Sequence, residues 1–187
     1  MLKLTDICHV YDGVPVLEQV SLTLHPGQRI ALMGPSGAGK TTFLRIALGT
    51  LKPTTGTVEN TFRNTAAVFQ EPRLLPWRTA AENVNLVLSD DRSTMEKARY
   101  HLAQLGLTDA ADKYPGELSG GMQQRVAIAR ALAAEGDLLI LDEPFKAMDE
   151  DLRRRVMALV AQTNAAILLV THEKEEAAAL GCEILNL

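Results

Sequence analysis

Three short stretches of this 187-residue chain place residue types at spacings that can do chemistry on phosphate. Gly34-Pro35-Ser36-Gly37-Ala38-Gly39-Lys40-Thr41 fits the pattern G-x-x-x-x-G-K-[ST], with Thr42 continuing the same helix start. Its glycines let backbone amides turn inward around phosphate oxygens, Lys40 sets a point charge on the β and γ groups, and the Thr41 hydroxyl is a ligand for Mg²⁺. Asp142-Glu143 ends the apolar run Leu138–Leu141, where Asp142 is suited to a metal and Glu143 to general-base attack by water. In Leu118-Ser119-Gly120-Gly121-Met122-Gln123-Gln124-Arg125, a helix-capping serine precedes two glycines, so a second helix N-terminus is built to receive an anion.

These residues need a scaffold that carries strand ends to helix starts. Arg29–Met33, Leu138–Leu141 and Ala166–Val170 are near-continuous apolar runs, the pattern of parallel strands covered on both faces. Leu2–Val10 and Ser21–Leu24 alternate instead, as half-buried antiparallel strands do, with Gly13 and Pro26-Gly27 as turns. Helices are predicted over Lys40–Leu48, Ser93–Leu105, Ser119–Ala134 and Glu150–Thr163, the second opened by a Ser93/Glu96 capping box. The expected fold is α/β: a nucleotide-binding core with a mainly parallel sheet, an N-terminal antiparallel β layer, and a helical insertion at about residues 79–116. A single domain over residues 1–187 is expected.

The phosphate loop alone leaves kinases, GTPases, helicases and transport ATPases open. The LSGGMQQR stretch, followed by LDEP, resembles the signature and metal strand of ABC ATPases, and the likeness runs from Tyr11 to His172. The resemblance implies an ATP-binding and ATP-hydrolysing subunit with Mg²⁺, in which Glu143 is the base, Asp142 and Thr41 hold the metal, and the Gly34–Thr42 stretch holds phosphate. It also implies that Tyr11 stacks on adenine, that Gln70 touches metal and attacking water, and that His172 contacts the γ-phosphate. Ser119, Gly120 and Gly121 would close over ATP held by a second subunit, with Asp149 at that interface. The implied assembly is a homodimer, or a pair with a related ATPase subunit, on a membrane permease. Gln70-Glu71-Pro72-Arg73-Leu74-Leu75-Pro76-Trp77-Arg78 is similar to the permease-facing segment of importers of the nitrate, sulfonate and taurine type, which work with an external substrate-binding protein. Such a chain would lie in the cytoplasm, peripheral on the inner face of the cell membrane.

Composition narrows the alternatives. A formal net charge of −4 supplies no broad basic face, so nucleic acid is not an expected partner. No apolar run has the length to cross a bilayer, and residues 1–6 lack a signal-peptide layout. Cys8 and Cys182 lack metal-ligand spacing and read as buried thiols. A non-transport ABC ATPase and a nucleotide-gated module with little turnover stay open as alternatives. Three departures from the family pattern bear on them. Lys146-Ala147-Met148-Asp149 puts a long cation where a small residue is usual, only Thr57–Arg63 is available for a hairpin, and no C-terminal regulatory domain is expected.

Overall fold

Apolar side chains that must be buried on both faces form the centre of the fold. In the computed structural model, which describes residues 1–146 and 148–187, the strands are β1 (Leu2–Tyr11), β2 (Val14–Leu24), β3 (Arg29–Met33), β4 (Thr55–Asn60), β5 (Thr65–Val68), β6 (Leu138–Asp142), β7 (Ala166–Val170) and β8 (Glu183–Asn186). The helices are α1 (Lys40–Ala47), α2 (Ala80–Asn85), α3 (Met95–Gln104), α4 (Gly120–Ala133), α5 (Glu150–Ala161) and α6 (Lys174–Ala179). Two compact units result, one of Met1–Thr65, Asp137–Glu143 and Asn164–Leu187, the other of Ala66–Gly136 and Pro144–Thr163.

In the first unit, parallel strands run in the order β6-β7-β3-β8. Every residue of β6 and β7 is buried, which explains why their sequences show no alternation. The parallel register brings the C-terminal ends of β3, β6 and β7 to one edge, because Leu32 pairs with Val170 and Val170 with Asp142. The antiparallel layer has the order β2-β1-β4. Along β1 the buried positions are Leu2 and Leu4, then Ile7 and His9, so the alternation slips by one residue. Register shifts lie at that step and on to Val10, with Asp6 (φ 50°) and the facing strand's Gln19 (φ 53°) in the left-handed region, the signature of bulges that re-aim the strand's end. The Thr57–Arg63 stretch, all that is available for a hairpin, is shared between β4 and the loop to β5. β4 pairs directly with β1, from Leu2↔Asn60 to Cys8↔Thr55.

The second unit is helical, with α2, α3 and α4 packed on one another. Gly106 (φ 67°) ends the α3 region as expected, but the Ser93/Glu96 capping box is absent. Asp91 takes the site, its carboxylate accepting from the Ser93 amide (2.7 Å) and hydroxyl (2.5 Å), and a short 3-10 turn precedes α3 at Met95. The reciprocal box lies at α2, where Thr79 accepts from the Glu82 amide and Glu82 accepts from the Thr79 amide. Asn83, fully buried, donates to the carbonyls of Leu75, Arg78 and Thr79 and accepts from the Leu75 amide, which fixes the segment that presents Trp77, 69% exposed. Cys8 and Cys182 are free and half-buried, and burial pushes the Cys182 thiol up to about 11.

Candidate functional site

The phosphate loop leaves buried β3 at Met33 and enters α1 at Lys40. Gly39 caps the helix with φ 85°, and a Cβ there would stand 2.7 Å from the Val16 carbonyl oxygen and from Leu17 Cδ2. Gly34 (φ 152°) is equally constrained, since a Cβ would come 2.6 Å from the Leu187 carbonyl oxygen. Only glycine fits either position. Lys40 is 6% exposed, and its ammonium donates to the carbonyls of Gly34 (2.9 Å) and Pro35 (2.7 Å), so the charge is held on the loop rather than in solvent. The first turn of α1 has no acidic residue and its last turn carries Arg45, which leaves the helix's positive end unopposed.

Asp142, at the end of β6, is 4% exposed and accepts a hydrogen bond from the Thr41 hydroxyl. Burial raises its carboxyl above the ordinary range, against the Thr41 hydrogen bond; the neighbouring Glu143 charge adds to the rise, and Lys40 and Arg45 oppose it. Two hard oxygen donors therefore meet beside Lys40, a set that fits Mg²⁺. Glu143 has φ 45°, a left-handed conformation that costs an ordinary residue about 1–2 kcal/mol. Its amide donates to the Val170 carbonyl (3.0 Å), and its Oε1 lies 3.1 Å from His172 Nε2. The cost is borne where the backbone turns one carboxylate out of the strand towards the imidazole.

The loop carrying His172 is fixed by two residues that sequence reasoning did not single out. The Thr171 hydroxyl donates to Glu176 Oε2 (2.5 Å) and accepts from the Glu173 amide (3.0 Å). The one signal available was a threonine two residues before a helix N-cap, a local side-chain-to-backbone turn. Tyr11 ends β1, 41% exposed, with its ring set edge-on to His9 at 4.5 Å and 78°. Asp12 and Gly13, both at positive φ, make the tight turn that pairs Tyr11 with Val14. His9 is 7% exposed, and among the described residues neither of its ring nitrogens has a hydrogen-bond partner.

The remaining site residues lie in the second unit. Gln70 is exposed and follows Phe69, whose carbonyl accepts from Gln124 Nε2 of α4 (3.1 Å) and whose ring lies under the Arg73 guanidinium (3.8 Å). Arg130 of the same helix donates to the carbonyls of Pro72 and Arg73 (both 3.1 Å). Ser119 caps α4, accepting from the Met122 amide at 3.3 Å; Ser119 and Gly120 are exposed and Gly121 is half-buried. Asp149 caps α5, accepting from the Leu152 amide at 3.0 Å. Lys146 is exposed, and Ala147 lies outside the described residues.

Residues 17–146, which include the phosphate loop, the signature and the metal strand, match the family described as "ABC transporter". The chain belongs to the ABC transporter family. This ABC chain is 43% identical to an aliphatic sulfonates import ATP-binding protein of Rhodococcus jostii (strain RHA1), over all of the chain and 78% of that protein. It is 39% identical to a thiamine import ATP-binding protein of Shigella boydii serotype 4 (strain Sb227), over 95% of the chain and 84% of that protein. A dimeric ATP-binding cassette in a post-hydrolysis state bound to ADP and Pi shares the fold with a TM-score of 0.90 and 32% identity, over 100% of this chain and 94% of that one. The ABC chain is an ATP-binding and ATP-hydrolysing subunit of the importer type. Import subunits of the family work with a membrane permease, and its cassettes dimerise.

Proposed function

We propose that hydrolysis is carried out by Glu143 as general base and His172 as its γ-phosphate-facing partner, on ATP held by the Gly34–Thr42 loop. The observation that carries this reading is the grouping at the end of β6: Asp142 on Thr41, and Glu143 at 3.1 Å from His172. The loop amides and Lys40 bind the β- and γ-phosphates, whose oxygens replace the weaker carbonyl acceptors of Gly34 and Pro35. Tyr11 stacks on the adenine ring. Mg²⁺, when bound, would supply charge neutralisation at the phosphate oxygens; Thr41 and Asp142 would hold it, and Gln70 is the further ligand that the family resemblance implies. Water attacks the γ-phosphorus, Glu143 takes its proton, and the bond to the ADP oxygen breaks to release ADP and phosphate.

Ser119, Gly120 and Gly121 close over the ATP of a second subunit, and Asp149 lines that interface. ATP is then held between two chains, and hydrolysis loosens them. Residues 1–187 act as one domain with a helical insertion at about 79–116, and the Gln70–Arg78 segment faces the permease. No helix among the described residues is long and apolar enough to cross a membrane. The subunit is peripheral on the cytoplasmic face and works with an external substrate-binding protein. The sulfonate and thiamine importers are similarly close in sequence, which supports the view that permease and binding protein choose the cargo. The test separates binding from turnover. Lys40→Ala raises the Kd for Mg-ATP by about tenfold or more, as loss of a charge-assisted contact should. His172→Ala keeps that Kd and loses turnover. Unchanged affinity in the first variant, or unchanged turnover in the second, refutes the assignment.

A further inference from the structure

His172 is 43% exposed at its side chain and stands on a loop, yet its Nε2 lies 3.1 Å from Glu143. A solvent-facing imidazole keeps such a place only if its backbone is held on both sides. Before it, Thr171 is 2% exposed, and its amide points at the Leu32 carbonyl of β3 at 3.5 Å. After it, the Glu173 amide donates to the Thr171 hydroxyl at 3.0 Å, which closes a short turn around His172. The hydroxyl proton goes to Glu176 Oε2 at 2.5 Å, and Glu176 is 5% exposed in the first turn of α6. A buried carboxylate is costly to hold and seldom placed without reason. No side-chain cap opens α6, so the Thr171 turn and Glu176 together set where that helix begins.

We propose that Thr171 and Glu176 form a buried clamp that fixes the approach of His172 to Glu143, which makes both of them positioning residues for ATP hydrolysis. This rests on the roles given above to His172 and Glu143. The clamp acts through the backbone that carries His172; it restricts the loop so that the imidazole meets the carboxylate without a search at each turnover. Displacement of a reacting group by even a fraction of an ångström lowers the chemical step while leaving phosphate binding to the separate Lys40 loop.

The experiment is Mg-ATP hydrolysis by the full chain, steady-state and single-turnover, for Thr171→Val, Thr171→Ser, Glu176→Ala, Glu176→Gln and His172→Ala. Thr171→Val should lower kcat by about tenfold or more with KM within about twofold, and Thr171→Ser should return to within about threefold of the parent. Glu176→Gln, whose amide oxygen still accepts the hydroxyl, should fall between Glu176→Ala and the parent. Adding Thr171→Val to His172→Ala should cost little more than His172→Ala alone, because both act through one imidazole. Parental kcat in Thr171→Val, or a loss that multiplies independently with that of His172→Ala, overturns the clamp. Parental kcat in His172→Ala instead refutes the catalytic reading of His172, and the clamp with it. Should Glu176→Ala fail to fold, the Thr171→Val and Thr171→Ser pair decides.

Discussion

Asp142 carries a carboxyl whose burial raises its pKa above the ordinary 3.8 despite the Thr41 hydrogen bond, and the sign of that shift gives a stability test. Between the unfolded value and the raised folded one, the folded state keeps a proton that the unfolded chain has released. Stability therefore falls as pH rises through that window, and above it the ionised group bears its full desolvation cost. Asp142→Asn should unfold at a higher temperature than the parent at pH 7 while losing turnover, and the difference should shrink as pH is lowered towards 4. A melting temperature equal to or below the parent's at pH 7 contradicts the burial argument. Gly39→Ala tests the loop at the same scale. Its Cβ would meet Val16 and Leu17 at 2.7 Å in a left-handed backbone, so urea unfolding should show a loss of about 1–3 kcal/mol. A neutral result would mean that the turn before Lys40 can be built another way. The glycines, Lys40, Asp142 and Glu143 were legible in the sequence because phosphate chemistry fixes their types and spacing. Thr171 and Glu176 were not, because a buried polar pair is made by burial, which a string of residues does not display.

Elements were legible where one physical demand dominated. β6 and β7 must be apolar on both faces and could be read from composition alone. Caps were less legible, since several nearby side chains compete for the same amides. Ser93 had the right type and spacing to Glu96, but Asp91 reaches the Ser93 amide first. Accordingly Thr79→Ala, which removes a real box, should cost about 0.5–2 kcal/mol in denaturant unfolding. Ser93→Ala, which leaves Asp91 its amide bond, should cost less than half of that. Equal losses would show that the α2 box is not the stronger cap. The bulges of β1 escaped the pattern reading for a related reason: Leu4 and Ile7 are both buried, and a strict period of two cannot hold both. The register shift there determines where Tyr11 ends.

At the scale of the whole molecule, one chain carries a nucleotide loop and a signature helix start, each in its own unit, and two copies would join them head to tail. That both features are anion-facing helix N-termini was legible in the sequence, whereas their pairing across two copies is what the resemblance to ABC ATPases implies. The hydrogen bonds of Gln124 and Arg130 to the segment after Gln70 were not legible, since they join residues 55–58 positions apart. A mixture of Lys40→Ala and Ser119→Arg chains tests the pairing, because a head-to-tail mixed dimer has one intact site and one doubly broken site. Two variants each inactive alone should regain up to about a quarter of the parental rate when mixed. No recovery would mean that loop and signature of one chain serve the same site. The most direct test of the central claim is made on Glu143→Gln, by Mg-ATP turnover and by size-exclusion chromatography with and without ATP. The account predicts turnover lower by roughly 10²–10⁴-fold and a dimer that appears only with ATP. Parental turnover in that variant, or a chain that stays monomeric at saturating ATP, would contradict it.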